Sequence, residues 1–444
     1  MNILYKTLYT RDQPNFELKV LGIFIFSLLF TSNVLLQFNS ANATIGLLMV
    51  MGMPFIFIFT GLYYYYKIFK LKELNPLDIM IFLALLMPFY NAIVVHSVFG
   101  VKIFKALFNL SGRFFIVMCS LIYYMIRTHK ITIKQYVYAN IILCWFCFFL
   151  YTYISLTISP ESFKDSLGEG LVGYNPSKGG YLYRFSSAFL IFGMVYYFLD
   201  YIIKGNLVSL FLWLILIAYQ VFIDKGRTEL VSEVVPMFLY MFIMLKWHKI
   251  FKKLFSIAIV AGTIILIAYW INPKIIYFTA DMYIMFLKFF LGKKTGEGSA
   301  DMRWTEMAVV YNYFLKHPQY IFFGIGCPKR TVMLFNVGNV ILSDIGIVGG
   351  LLSQGIVGVT FTYSLFLYPI YVFRKVKYFR KDVLFNTGLL GCGTIFIQSL
   401  FSGSVFYSPF SLMLFMLIVE YYRVKESLYK KYHLPNLQKD VLQV

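Results

Sequence analysis

Three arginines stand where apolar sequence gives way to polar sequence, and their chemistry is that of anion binding. Arg184 sits in Tyr181-Leu182-Tyr183-Arg184-Phe185, Arg227 in Asp224-Lys225-Gly226-Arg227-Thr228-Glu229, and Arg303 in Ser299-Ala300-Asp301-Met302-Arg303-Trp304. A guanidinium stays charged throughout the physiological range and grips phosphate oxygens in pairs, so such groups suit an anionic, pyrophosphate-linked lipid. The same residues could instead anchor lipid headgroups or pair with Glu229, Asp301 or Glu306. Arg113, in Leu110-Ser111-Gly112-Arg113-Phe114, lies further inside an apolar stretch. An ionisable group there is costly and normally faces a bundle interior or a wet cavity, unless it snorkels to an interface.

A second constellation follows Arg303. His317-Pro318 leads to Phe323-Gly324-Ile325-Gly326, then to Leu342-Ser343-Asp344-Ile345-Gly346, then to Gln354-Gly355-Ile356-Val357-Gly358. Asp344 would stand at the mouth of the helix that follows it. A carboxylate there can take the proton of an attacking hydroxyl, or it can simply cap the helix. Gly324 and Gly326 permit a tight turn or the close approach of a substrate. His317 could be a base, but a His-Pro step reads first as a helix boundary.

Elements of an unusual kind must hold these residues. The chain is 60% hydrophobic and 14% charged, with a mean hydropathy of +0.72. A soluble domain is about half apolar and about a quarter charged, so the excess needs a solvent other than water. Apolar stretches of about 20 residues supply the reason, each long enough to cross ~30 Å of hydrocarbon. In lipid every backbone polar group must be satisfied within its own element, so the stretches should be helices. An all-α bundle of about 12 spanning helices is expected, at about 18–38, 44–66, 76–98, 103–126, 135–157, 184–203, 207–223, 228–246, 253–272, 344–373, 383–402 and 404–422.

Charge sets the orientation. The net charge of +20 is not a nucleic-acid footprint, because the basic residues cluster between apolar stretches. The clusters are Lys67, Lys70 and Lys72; Arg127, Lys130 and Lys134; Lys246, Lys249, Lys252 and Lys253; Arg374, Lys375, Lys377, Arg380 and Lys381; and Arg423, Lys425, Lys430 and Lys431. With both termini inside, all of them fall on the cytoplasmic face of a bacterial inner membrane. Residues 1–272 then carry the first nine helices, 273–343 form one large external loop, and 344–444 carry the last three helices and a cytoplasmic tail. Within the loop, Tyr277 to Leu291 and Trp304 to Leu315 could lie as short helices on the membrane surface. Arg184, Arg227 and Arg303 all fall on the external side.

Other chemistries are not indicated. Met1 to Glu17 is polar and precedes a stretch long enough to span, which reads as a signal anchor. Cys144 and Cys147 share one face of a helix without a second pair, so neither a zinc site nor a disulfide framework is expected, and no cofactor. No Walker loop, GxSxG or HExxH occurs, and no cytoplasmic loop could house a nucleotide-binding domain. An enzyme of this design takes a preactivated substrate at the external face. Few of the expected helices carry charges that could line a path through the bilayer, Arg113 being the main exception.

The order of these features resembles the O-antigen polymerase and O-antigen ligase superfamily, the integral-membrane glycosyltransferases of bacterial polysaccharide assembly. The matching pieces run from Lys225-Gly226-Arg227-Thr228-Glu229 and Ser299–Trp304 through His317-Pro318, Gly324-Ile325-Gly326 and Ser343-Asp344 to Gly355-Ile356-Val357-Gly358. The resemblance implies a repeat unit carried on undecaprenyl pyrophosphate, with Arg227 and Arg184 holding the pyrophosphate, helped by Arg113, and Arg303 near the acceptor. Ligases of this superfamily typically place a His-Asn pair where this chain has Ser343-Asp344, a departure that favours the polymerase branch. Polymerisation of lipid-linked oligosaccharides into O-antigen or capsule is therefore expected, with Asp344 and Arg303 as catalytic residues. Ligation of glycan to a lipid core, and flipping of a lipid-linked sugar, are the alternatives. A chain-length regulator and a flippase are the candidate protein partners, besides membrane lipid, and nucleic acid is not expected.

Overall fold

The computed structural model describes residues 16–27, 62, 66, 75–108, 122–126, 130–163, 172–175, 180–183, 185, 187–224, 227–271, 284, 288, 291, 298–327, 331–334, 338–342, 345–402 and 410–441. Helices dominate: α1 (Phe16–Phe26), α2 (Pro76–Phe99), α3 (Ile103–Phe108), α4 (Ile133–Thr157), α5 (Ala188–Lys204), α6 (Leu207–Tyr219), α7 (Arg227–Met244) and α8 (Trp247–Ile271) come first. After them come α9 (Gly298–Lys316), α10 (Gln319–Phe323), α11 (Gly346–Lys375), α12 (Val383–Phe401) and α13 (Phe410–Val441). Among the described residues, α2, α4, α11 and α12 are long and apolar enough to cross a membrane. The expected helix at 44–66 lies outside the described residues except for Leu62 and Tyr66.

Two small hairpins were not expected. β1 (Val172–Asn175) pairs antiparallel with β2 (Gly180–Tyr183), and β3 (Thr331–Leu334) with β4 (Gly338–Ile341). Their short runs of Val, Tyr and Thr suit strands.

Local chemistry starts the helices where charge patterning places them. Thr132 and Gln135 form a reciprocal capping box on α4, with Gln135 N donating to Thr132 Oγ1 at 3.2 Å and Thr132 N to Gln135 Oε1 at 2.8 Å. Asn206 caps α6 and Asp382 caps α12, each accepting a first-turn N–H. Gly205 closes α5 in the left-handed conformation.

Packing between helices uses small residues, as it must where lipid removes most of the hydrophobic drive for association. Gly391 on α12 receives the ring of Phe415 from α13, and Gly388 faces Val419 of the same helix. Gly193 on α5 lets Cys144 of α4 seat against its backbone. Tyr136, Phe189, Phe192 and Phe198 are fully buried in this core. The outer surface is apolar instead: α8 exposes Phe251, Phe255, Leu266 and Trp270, and α4 exposes Phe149, Tyr153 and Leu156. Faces of this kind suit an apolar solvent, and the chain is a membrane protein by this measure.

The basic clusters among the described residues converge on one end of the bundle. Lys253 Nζ donates to Tyr201 O at 2.6 Å, joining the start of α8 to the end of α5. Lys430 Nζ donates to Lys375 O at 3.0 Å, and the Glu426 carboxylate accepts the amides of Lys377 and Tyr378. The start of α2 joins the same end: Asn75 Nδ2 donates to Tyr123 Oη, which donates to Glu420. Glu420 is fully buried and also accepts from Tyr368 and, bidentately at 2.6 and 2.7 Å, from Arg423. The far end is marked by different contacts. Gly346, opening α11, meets the Leu400 and Phe401 backbone at the close of α12, and Tyr219 donates to Phe185 O at 3.0 Å.

Candidate functional site

Among the described residues, α11 is interrupted toward the far end of the bundle. Gly355 interrupts that helix with φ 65° and ψ −176°, a conformation essentially reserved for glycine. A helix broken at membrane depth exposes carbonyls that only protein or a wet cavity can satisfy. Here the chain after α10 satisfies them. Ile325 N donates to Leu352 O and Gly326 N to Ser353 O, both at 2.8 Å. The approach is so close that a side chain on Gly324 would lie 2.6 Å from the Gln354 amide, while one on Gly355 would strike the Phe322 carbonyl. Gly324 and Gly326 both adopt positive φ, at 72° and 78°. The glycine pair therefore lies in a turn packed backbone to backbone on a helix that is itself broken at a glycine.

Helix α2 forms the third wall. Tyr90 Oη donates to Phe323 O at 2.8 Å, and Cys327 N donates to Asn91 Oδ1 at 2.8 Å. Asn91 is 1% exposed, and its Nδ2 has no hydrogen-bond partner. Tyr90 and Asn91 carry no signal in the sequence beyond being polar residues inside an apolar stretch.

Helix α9 leads into this turn and carries Arg303. One of its faces, with Glu306, Val310 and Tyr313, is buried; Glu306 Oε1 accepts Ile341 N of β4 at 3.2 Å. The other face exposes Trp304, Tyr311 and Leu315, an apolar stripe at helical spacing. Arg303 is half-buried beside that stripe. His317 ends α9 as its amide reaches Tyr313 O, and its ring lies 4.8 Å from the ring of Tyr313 and 6.0 Å from that of Tyr320. The Tyr313 hydroxyl is pushed up to about 12 by desolvation, with Tyr320 adding to the shift.

Arg227 opens α7, so its backbone stands at the same end as the start of α11, because α7 packs along α12. Arg184 lies outside the described residues. Its neighbours do not: Tyr183 Oη donates to Ile158 O, and Phe185 accepts from Tyr219, which places both at the far end. Arg113 and Asp344 also lie outside the described residues. The elements bearing Arg227 and Arg303 belong to different packing groups, α7 with α12 and α5, and α9 with α10, α11 and β4.

Buried carboxylates are more numerous than the sequence reading expected. Asp78, Asp200, Glu233 and Glu420 are all essentially buried. Asp78, Asp200 and Glu420 lie toward the basic end, held by Asn75 N, by Lys204 and by Arg423 respectively. Glu233 differs. It lies about 9 Å along α7 from Arg227, and its Oε1 accepts Gln220 Nε2 at 2.9 Å from a π-helical turn, Gln220–Asp224. Such turns recur at functional sites. A single carboxylate in Leu230-Val231-Ser232-Glu233-Val234-Val235 is the signal that would have found it.

The chain matches no protein-family model, and comparison with the curated proteins and with the solved structures gives no match.

Proposed function

We propose that the chain is a polysaccharide polymerase of the bacterial inner membrane, resembling the O-antigen polymerase and ligase superfamily. In this reading it crosses the bilayer about a dozen times, its basic end faces the cytoplasm and its far end faces outward. The observation that carries the reading is the junction of the broken helix α11 with the Gly324–Gly326 turn, set at the end opposite the basic clusters. Interrupted membrane helices mark substrate sites. The exposed Trp304, Tyr311 and Leu315 stripe of α9 would rest on the outer leaflet and hold Arg303 at headgroup level.

Two lipid-linked repeat units meet at this face. A hydroxyl of one unit attacks the anomeric carbon of the other chain; the new carbon–oxygen bond forms as the bond to the pyrophosphate breaks. The hydroxyl proton passes to Asp344, and undecaprenyl pyrophosphate leaves with the bonding electrons. Arg227, Arg184 and Arg113 offset the charge growing on the leaving group, with Arg303 near the acceptor, the chief electrostatic need of such a transition state.

A flippase reading draws on Glu233, an ionisable group inside the bundle. Profiling surface polysaccharide from a deletion strain, with and without the re-expressed protein, separates the readings. A lipid core bearing a single repeat unit, restored to a ladder by the protein, supports polymerisation. Ladders left on the lipid carrier point to ligation, and loss of all external repeat units to flipping.

A further inference from the structure

Three helix ends on the basic face frame a groove of about 500 Å³. Lys134 lies in the first turn of α4, Lys204 closes α5, and Lys381 precedes the capping Asp382 of α12. All three lysines are exposed. Between them the walls are aromatic and aliphatic, made by Tyr138, Tyr196 and Leu384. Among the described residues two carboxylates lie nearby, and both are engaged. Asp382 accepts the Leu384 amide at 2.9 Å, while Asp200 accepts from Ser209 at 2.6 Å and Asn206 at 3.0 Å and pairs with Lys204 at 2.7 Å. Among the described residues three lysines stand against these two acids, and the positive dipole ends at the starts of α4 and α12 outweigh the single negative end where α5 closes.

We propose that this groove is a binding site for an anionic diacyl phospholipid of the cytoplasmic leaflet. The phosphate sits among Lys134, Lys204 and Lys381, and the acyl chains run down the Tyr138, Tyr196 and Leu384 wall. The walls are the flanks of α4 and α5, below a basic rim at the helix ends, so the occupant must be polar at one end and apolar along its length. A zwitterionic headgroup would bring its own ammonium against three others. Basic pockets between membrane helices on the cytoplasmic side are suited to anionic headgroups. The bound lipid bridges the ends of α4, α5 and α12. This assignment rests on the charge and shape of the groove and on the proposed orientation of the basic end, and is independent of the glycosyltransferase chemistry.

The test uses the full-length protein, delipidated in non-ionic detergent and followed by thermal unfolding during lipid titration. Phosphatidylglycerol raises the unfolding midpoint, whereas phosphatidylcholine and inorganic phosphate do not. Each lysine near an anionic headgroup contributes roughly fivefold in affinity, so Lys134→Gln with Lys381→Gln weakens phosphatidylglycerol binding by roughly 25-fold. Lys249→Gln with Lys252→Gln, exposed at the same end but outside the groove, leaves it unchanged. An equal response to phosphatidylcholine would overturn the charge selectivity. A response to phosphate alone would make the groove a simple anion site, and an equal loss in both double variants would reduce it to general surface charge; either result refutes the proposal.

Discussion

The amide of Gly326 donates to the carbonyl of Ser353 at 2.8 Å, so the turn after α10 completes the hydrogen bonding of a membrane helix broken two residues later at Gly355. Two separate stretches of sequence thus complete each other's backbone. The junction they form is held by backbone hydrogen bonds and close backbone approach rather than by mobile side chains.

Gly355→Ala should therefore be severe. The positive φ and the clash with Phe322 O each oppose a methyl group, and strain of this kind costs about 1–3 kcal/mol. Thermal unfolding in detergent should show a lowered midpoint, and polymer should be lost. A midpoint equal to wild type would mean that the break is not needed.

Asn91→Leu keeps the side chain's bulk but removes the acceptor of the Cys327 amide. A buried N–H without a partner costs about 1–3 kcal/mol, so the unfolding midpoint falls. Polymer length falls with it, because the turn after α10 loses its tie to α2.

The pair Glu233 and Gln220 separates enzyme from transporter. Glu233→Gln preserves a hydrogen-bonding partner for Gln220 and removes the titrating group. The polymerase account predicts that chain length is retained in Glu233→Gln, with Glu233→Ala less stable by about 1–3 kcal/mol through the unmatched Gln220 amide. Abolition of all external repeat units by Glu233→Gln would favour proton-linked flipping.

At the basic end, Glu420→Ala leaves Arg423 beside a cavity with two tyrosine hydroxyls stripped of their acceptor. Breaking one side of a buried ion pair costs about 3–5 kcal/mol, so this variant should fail to accumulate in membranes. Normal accumulation with an unchanged midpoint would show that the network is dispensable.

Much of the architecture is legible in the sequence because lipid imposes it. Apolar length and basic clusters suffice to order the helices from Pro76 onward, and the contacts of Lys253, Lys375 and Glu426 gather those clusters at one end. The break in α11 is not legible in the same way. Gln354-Gly355 sits in an apolar pattern that reads as continuous helix, and what breaks it is a tertiary contact from residues 322–326. The hairpins escape because their strands are only four residues long. Glu233 and Asn91 are visible as polar residues in apolar stretches, but their roles depend on Gln220 and Cys327, distant partners that no local pattern reveals. Of the arginines, Arg303 is half-buried on α9 and the backbone of Arg227 opens α7 at the far end, while Arg113, Arg184 and Asp344 fall outside the described residues.

The central claim is tested most directly with purified protein in lipid nanodiscs, given a single lipid-linked repeat unit and no nucleotide. The account predicts a ladder of longer lipid-linked glycans, one undecaprenyl pyrophosphate released per linkage formed, and short products only when Arg227 or Arg303 is replaced by Ala in protein that still inserts. A repeat unit left unextended by folded wild-type protein, with no undecaprenyl pyrophosphate released, would contradict it.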